Sequence, residues 1–238
     1  MNRLQRAAAA LAALMTIAMA TPAMAEGAPD PVGDWSGVLT TPRGALTLIV
    51  HVARDAKGAL AATLESPDQG PGTMPASEFA AGDGHLAWKI AAIGASYKGD
   101  WDAAKNRWQG TFTQGADLPL VLTRGLPPPR PTVKGLDGRW EGAIAVNGVN
   151  LRLVVRIATG ERGTAANLDS PDQLAYGIPM SNLTHDGQAV SYDVPAVKAH
   201  YAGTLSADGS RIEGSWTQPG LAATPVTFAL NRETAKAG

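Results

Sequence analysis

Apolar and polar residues alternate along much of this chain with a period of two. Leu46, Leu48, Val50 and Val52 alternate with Thr47 and His51, and Leu151, Leu153, Val155 and Ile157 alternate with Arg152 and Arg156. A strand sends successive side chains to opposite faces, so this spacing predicts half-buried β-strands with the arginines on the wet face. Turn signals interrupt the pattern at short intervals. The first half has Pro42-Arg43-Gly44, Asp55-Ala56-Lys57-Gly58, Gly82-Asp83-Gly84 and Lys105-Asn106, and the second has Asn147-Gly148, Asp186-Gly187 and Asp208-Gly209. No stretch has a convincing helical period. Read this way, each half holds about eight short strands joined as consecutive hairpins.

The two halves are one design written twice. Ser66-Pro67-Asp68-Gln69 returns letter for letter as Ser170-Pro171-Asp172-Gln173. Gly33-Asp34-Trp35-Ser36-Gly37 matches Gly138-Arg139-Trp140-Glu141-Gly142, and Tyr97-Lys98-Gly99 matches Tyr201-Ala202-Gly203. Trp108 to Gln114 matches Ile212 to Gln218. The first copy is expected over 32–125 and the second over 136–232, with 126–135 between them as a stiff spacer carrying Pro127, Pro128, Pro129 and Pro131. Prolines donate no backbone hydrogen bond, so the copies are expected to be independent domains rather than one shared sheet.

Eight antiparallel strands in simple succession close most economically into an up-and-down barrel, which leaves no exposed edge. The expected fold is therefore all-β: two tandem eight-stranded antiparallel up-and-down β-barrels after a signal peptide. An open two-sheet sandwich is the alternative. Gly37, Gly99 and Gly110, with Gly142, Gly203 and Gly214 in the second copy, mark the bends or close approaches a small barrel needs. Strands this short do not suit a membrane-spanning barrel, which needs about 9–11 residues per strand and an outward apolar belt.

Composition narrows the function classes. Arg3 and Arg6, the apolar run from Ala7 to Ala20 and Ala23-Met24-Ala25 read as a signal peptide over 1–25, so export to the periplasm or beyond is expected, with Glu26 as the mature N-terminus. No later stretch is apolar for long enough to predict a membrane helix. The net charge of −1 gives no electrostatic case for nucleic acid, and the absence of cysteine rules out disulfides. A monomer is expected.

Gly33-Asp34-Trp35 and Gly138-Arg139-Trp140, each heading a meander, resemble the start of lipocalin- and avidin-type barrels, which implies a lipocalin/avidin-like fold with the tryptophan plugging one end. Nearly the whole mature chain is also similar to the β-rich module found in front of the catalytic domain of many secreted bacterial α/β-hydrolases. The order of motifs carries this likeness: Gly-x-Trp-x-Gly, Leu-x-Leu, Ser-Pro-Asp-Gln, Tyr-x-Gly and a final aromatic-Thr-Gln. It implies an accessory module without the enzyme. The chain contains no Gly-x-Ser-x-Gly nucleophile elbow and no alternating strand–helix pattern to carry one.

The candidate ligand-binding residues are the polar ones that recur. Asp68, Gln69, Asp172 and Gln173 would present donors and acceptors at the barrel rims, or serve as turns in which side chains bond backbone N–H groups. Tyr97, Gln114, Tyr201 and Gln218 would orient a small apolar ligand in a lumen, or bond within the fold. His51, His85, His185 and His200 do not recur and lack the spacing of a zinc site, so no metal, cofactor or catalytic residue is expected. Three functions follow. The first is a binding or accessory module for a small apolar or amphipathic ligand or an envelope partner. The second is a structural or interaction protein with filled barrels that accompanies a hydrolase encoded elsewhere. The third, and least supported, is an enzyme. Whether the lumens are open separates the first two.

Overall fold

The computed structural model describes residues 27–146, 148–221 and 226–233. The proposed signal peptide lies outside them. The first copy forms β1 (Gly33–Thr41), β2 (Gly44–Arg54), β3 (Leu60–Glu65), β4 (Thr73–Pro75), β5 (Glu78–Gly82), β6 (His85–Ile90), β7 (Ala95–Asp102), β8 (Arg107–Thr113) and β9 (Asp117–Arg124). The second forms β10 (Gly138–Val146), β11 (Val149–Gly160), β12 (Gly163–Ser170), β13 (Ala175–Pro179), β14 (Ser181–Asp186), β15 (Ala189–Val194), β16 (Ala199–Leu205), β17 (Arg211–Thr217) and β18 (Val226–Arg232). Every ladder is antiparallel, and each copy has its own nine-stranded sheet.

Nine strands stand where eight were expected, because the fourth is bent in two. In the first copy Met74 pairs with Leu64, and the Ala76 N–H still donates to Ala62 of β3 at 2.8 Å. One residue later the Ser77 N–H donates to Lys89 of β6 at 2.8 Å. Pro75, which has no N–H to donate, sits at this switch, and Pro179 holds the matching place before Met180, whose N–H donates to Ala166 at 3.0 Å. Thus β4 and β5 are two halves of one strand passed from β3 to β6. Trp35 and Ser36 of β1 pair with Arg124 and Thr123 of β9, which completes the ring. Trp140 and Glu141 pair with Arg232 and Asn231 in the second copy. The fold is two tandem up-and-down barrels.

Inward positions fill both rings. In the first barrel Trp35, Leu48, Val50, Leu64, Trp88, Tyr97, Trp108, Phe112 and Leu122 form one buried cluster. In the second, Trp140, Val155, Leu168, Tyr192, Tyr201, Trp216, Phe228 and Leu230 do the same. Each fully buried large apolar side chain contributes about 1.5–3 kcal/mol relative to exposure. Two glycine sites set how tightly the rings coil. A Cβ on Gly37 would overlap the carbonyl oxygen of Val121 on β9, and one on Gly142 that of Ala229 on β18. Gly99 faces Gly110 across β7 and β8, as Gly203 faces Gly214 across β16 and β17; a Cβ on Gly110 or Gly214 would meet the facing backbone, and one on Gly99 the Tyr97 ring.

The proline-rich stretch is not a free spacer. The Arg130 N–H donates to the carbonyl of Arg162 at 3.0 Å, and the Thr164 N–H donates to that of Pro131 at 3.1 Å. The Val133 N–H donates to Thr164 Oγ1 at 2.8 Å. Proline cannot donate, but its carbonyl still accepts, so the stretch runs along the start of β12 as an added edge. Leu136 beyond it is fully buried in the second core.

Candidate functional site

The repeated tetrapeptide follows β3 in one barrel and ends β12 in the other, where Pro171–Gln173 form a single 3-10 turn. Ile49 is the last residue of β2 that β3 pairs, opposite Glu65. Two residues further out, the Thr47 N–H has lost its strand partner and donates instead to the Asp68 carboxylate. In the second barrel the Arg152 N–H donates to Asp172 Oδ2 at 2.7 Å. The aspartate side chain therefore extends the ladder where the neighbouring backbone has turned away, a local reason for the motif to occur in both copies.

Among the described residues this turn meets the other copy in the first barrel and not in the second. Arg130 Nη2 donates to Asp68 Oδ1 at 2.6 Å, and its Nη1 donates to the Pro67 carbonyl. Asn167 of β12 donates its side-chain amide to the Asp68 carbonyl at 3.1 Å. Gln69 is exposed, with its amide nitrogen beside Gly177. Contact with the first barrel and the linker explains why β12 departs from alternation. All of its residues from Thr164 to Ser170 are buried, whereas β3 alternates.

Between the barrels lies a cleft of about 560 Å³. One wall carries His51, Glu65 and the Gly70-Pro71-Gly72 loop, and the other carries Gly160, Glu161, Arg162 and Gly163, with Arg130 at the junction. His51 Nδ1 lies 2.7 Å from Asp34 Oδ1, and its Nε2 lies 3.2 Å from Glu65 Oε2. The second copy keeps this diagonal pairing with an arginine in place of the histidine, since Arg156 Nη2 lies 2.6 Å from Asp169 Oδ2. Arg162 donates to the Pro127 carbonyl, and its buried Nε has no acceptor among the described residues. Such a cleft offers charged groups of both signs over glycine and proline backbone. It suits a polar segment better than a small apolar molecule.

The other candidate residues stay apart from this cleft. Tyr97 is fully buried, stacked on Trp88 with ring centroids 5.4 Å apart, and its hydroxyl donates to the Leu120 carbonyl at 3.4 Å. Tyr201 stacks on Tyr192 at 4.8 Å and donates to the Phe228 carbonyl at 3.1 Å. Burial, with lesser help from the Asp100 and Glu213 charges, pushes both phenols well above the usual tyrosine range. Gln114 donates to the Ile93 carbonyl at 3.1 Å, Gln173 accepts from Ser170 Oγ at 2.8 Å, and Gln218 accepts from the Trp216 indole at 3.1 Å. Asp172 is exposed. Seven of the eight side chains thus make bonds within the fold, Gln69 being the exception, and of these eight only Asp68 and Gln69 come together, among the described residues, at a boundary between elements of both copies.

Arg130, Arg162, Asn167 and Glu65 complete that boundary without having been singled out in the sequence, together with His51, which the sequence offered only as a metal ligand and did not support as one. Two signals pointed to them: an arginine set among four prolines, and a strand, Thr164 to Ser170, whose outward positions are small or uncharged down to Asn167. Among the described residues no group of three or more histidine, aspartate or glutamate side chains is placed to hold a metal ion. No helix among them is long and apolar enough to cross a membrane.

No family model matches the chain, and no curated protein matches it. Among solved structures it is similar to a protein of Bacteroides fragilis whose assignment to the outer membrane is provisional, at 10% identity over 85% of this chain and 97% of that one, with a TM-score of 0.27. It is also similar to a DUF3598-family protein of unknown function from Nostoc punctiforme, at 14% identity over 85% and 96%, with a TM-score of 0.23. Likenesses of that size do not bear on function.

Proposed function

We propose that this chain is an exported, non-catalytic accessory protein that works through its outer surfaces rather than through ligands carried in its lumens. One observation carries the reading: both barrels are packed with their own tryptophan, tyrosine and leucine side chains. An eight-stranded ring encloses just enough space to be filled by side chains or to hold one ligand, and here side chains occupy it. The larger cavities described lie between the barrels and at their ends. An accessory role is what the resemblance of the motif order to the module that precedes secreted α/β-hydrolases implies, and an envelope protein or such a hydrolase is the partner this reading calls for.

Titration of palmitate into the mature protein tests it, since a long-chain amphiphile is what an open lumen would hold. No stoichiometric uptake is expected. A photo-crosslinking residue at Thr73, on the cleft, should capture a defined envelope protein in cells, whereas one at Lys98 on the outer wall of the barrel should not. One palmitate bound per barrel, surviving substitution of the residues at the barrel ends, would overturn the proposal.

A further inference from the structure

The two barrels are unlike at one end. In the second, the cross-strand pair Leu205 and Ile212 belongs to the core cluster that the fully buried Leu136 joins, much as Ala28 packs against the core of the first. In the first, the matching pair is Trp101 and Trp108, whose rings meet edge to face at 5.0 Å. Both also touch Trp35, at 6.0 and 5.9 Å, so three indoles are gathered there. Barrel geometry does not demand them, because the second copy closes the same fold with aliphatic side chains.

Beside this cluster is a pocket of about 870 Å³, within the range of small-molecule sites. Trp101, Trp108, Leu60 and Ala81 line it together with Arg54 and the segment from Gly27 to Pro31. Trp101 is only partly buried. Trp108 is almost wholly buried, and its indole N–H has no acceptor among the described residues, whereas that of Trp35 donates to the Pro31 carbonyl at 2.7 Å. A buried donor left unpaired is costly unless something supplies an acceptor.

From these observations we propose that the Trp101–Trp108 end of the first barrel is a binding site for a flat aromatic molecule carrying a carbonyl or hydroxyl oxygen. The ring stacks against Trp101 and the apolar wall, and the oxygen accepts the Trp108 indole N–H as Trp101, partly exposed and in edge contact with it, moves to uncover that nitrogen. The site lies at the end of the packed lumen and is independent of the cleft between the barrels.

Two probes test this, 4-methylumbelliferone and 1-naphthol, with binding read by probe anisotropy and by the Trp108 indole cross-peak in a nitrogen–proton spectrum. Saturable one-to-one binding is expected, with a dissociation constant below about 1 mM, and the Trp108 cross-peak should shift as the site fills. Trp101→Leu and Trp108→Ile install the residues that the second barrel carries at the same places, so the fold should tolerate them. Each should weaken binding at least tenfold with the barrel still folded. Should Trp108→Ile fail to fold, Trp101→Leu decides alone, since that side chain is partly exposed. Absence of saturable binding by both probes overturns the proposal, and so does binding that Trp101→Leu leaves unchanged.

Discussion

Asp68 and Asp172 occupy the same place in the repeat, yet replacing them by alanine should have unequal effects. Each carboxylate accepts one backbone N–H, from Thr47 or Arg152. A hydrogen bond to a charged group is worth about 1.5–3 kcal/mol when both groups are shielded, and less when exposed. Both substitutions lose such a bond, the exposed one at Asp172 counting for less. Asp68 alone also pairs with Arg130, at 2.6 Å, with the two side chains 20% and 27% exposed. A half-shielded pair of this kind adds about 1–2 kcal/mol, more than an open surface pair and less than a buried one. Asp68→Ala should therefore cost about 1–2 kcal/mol more than Asp172→Ala, equivalent to roughly 4–16 °C in the melting of a domain this size. Urea unfolding followed by tryptophan emission measures it, since Trp35, Trp88, Trp101 and Trp108 report the first barrel and Trp140 and Trp216 the second. A double-mutant cycle with Arg130→Ala should recover the extra loss as coupling. Equal losses for the two aspartates, or zero coupling to Arg130, would refute the assignment of Asp68 to the boundary between the copies.

Gly37→Ala should destabilise the first barrel by about 1–3 kcal/mol or more, because the new methyl meets the Val121 backbone. Gly82→Ala, with open space around it, should change stability by less than about 0.5 kcal/mol, and a reversed order in denaturant titrations would contradict the packing described. Burial holds the phenols of Tyr97, Tyr192 and Tyr201 protonated in the folded barrels, whereas in the unfolded chain they ionise near pH 10. The unfolded state thus binds fewer protons above that pH, so the contribution of these phenols to stability should be level below about pH 10 and fall beyond it. A guanidinium midpoint no lower at pH 11 than at pH 9 would count against their burial. A fragment spanning 126–238 should fold alone and melt several degrees above one spanning 133–238, which lacks the Arg130 and Pro131 bonds to β12. Coincident melting curves for the two fragments would show that the linker adds nothing.

Much of the fold was already determined by the order of residues. Period-two alternation in Leu46–Val52 and Leu151–Ile157, turn pairs such as Asp186-Gly187 and the repeated Gly-x-Trp specify strands, hairpins and two copies, because each of these is a local relation between residues a few positions apart. Strand pairing then needs only neighbours in sequence, and the lone long-range step, β1 onto β9, follows from closing the ring. Tertiary structure decided everything that depends on meeting a residue far along the chain. That Asp68 would face Arg130 and Asn167 while its twin Asp172 stays in water cannot be read from a motif spelled the same way twice, since the difference lies in which surface each copy is pressed against. The same holds for the lumens. Composition gave small and large inward residues in both barrels, but whether they leave a void depends on how Trp88, Tyr97 and Phe112 interdigitate, and packing of that kind exists only once the strands have curled around one another.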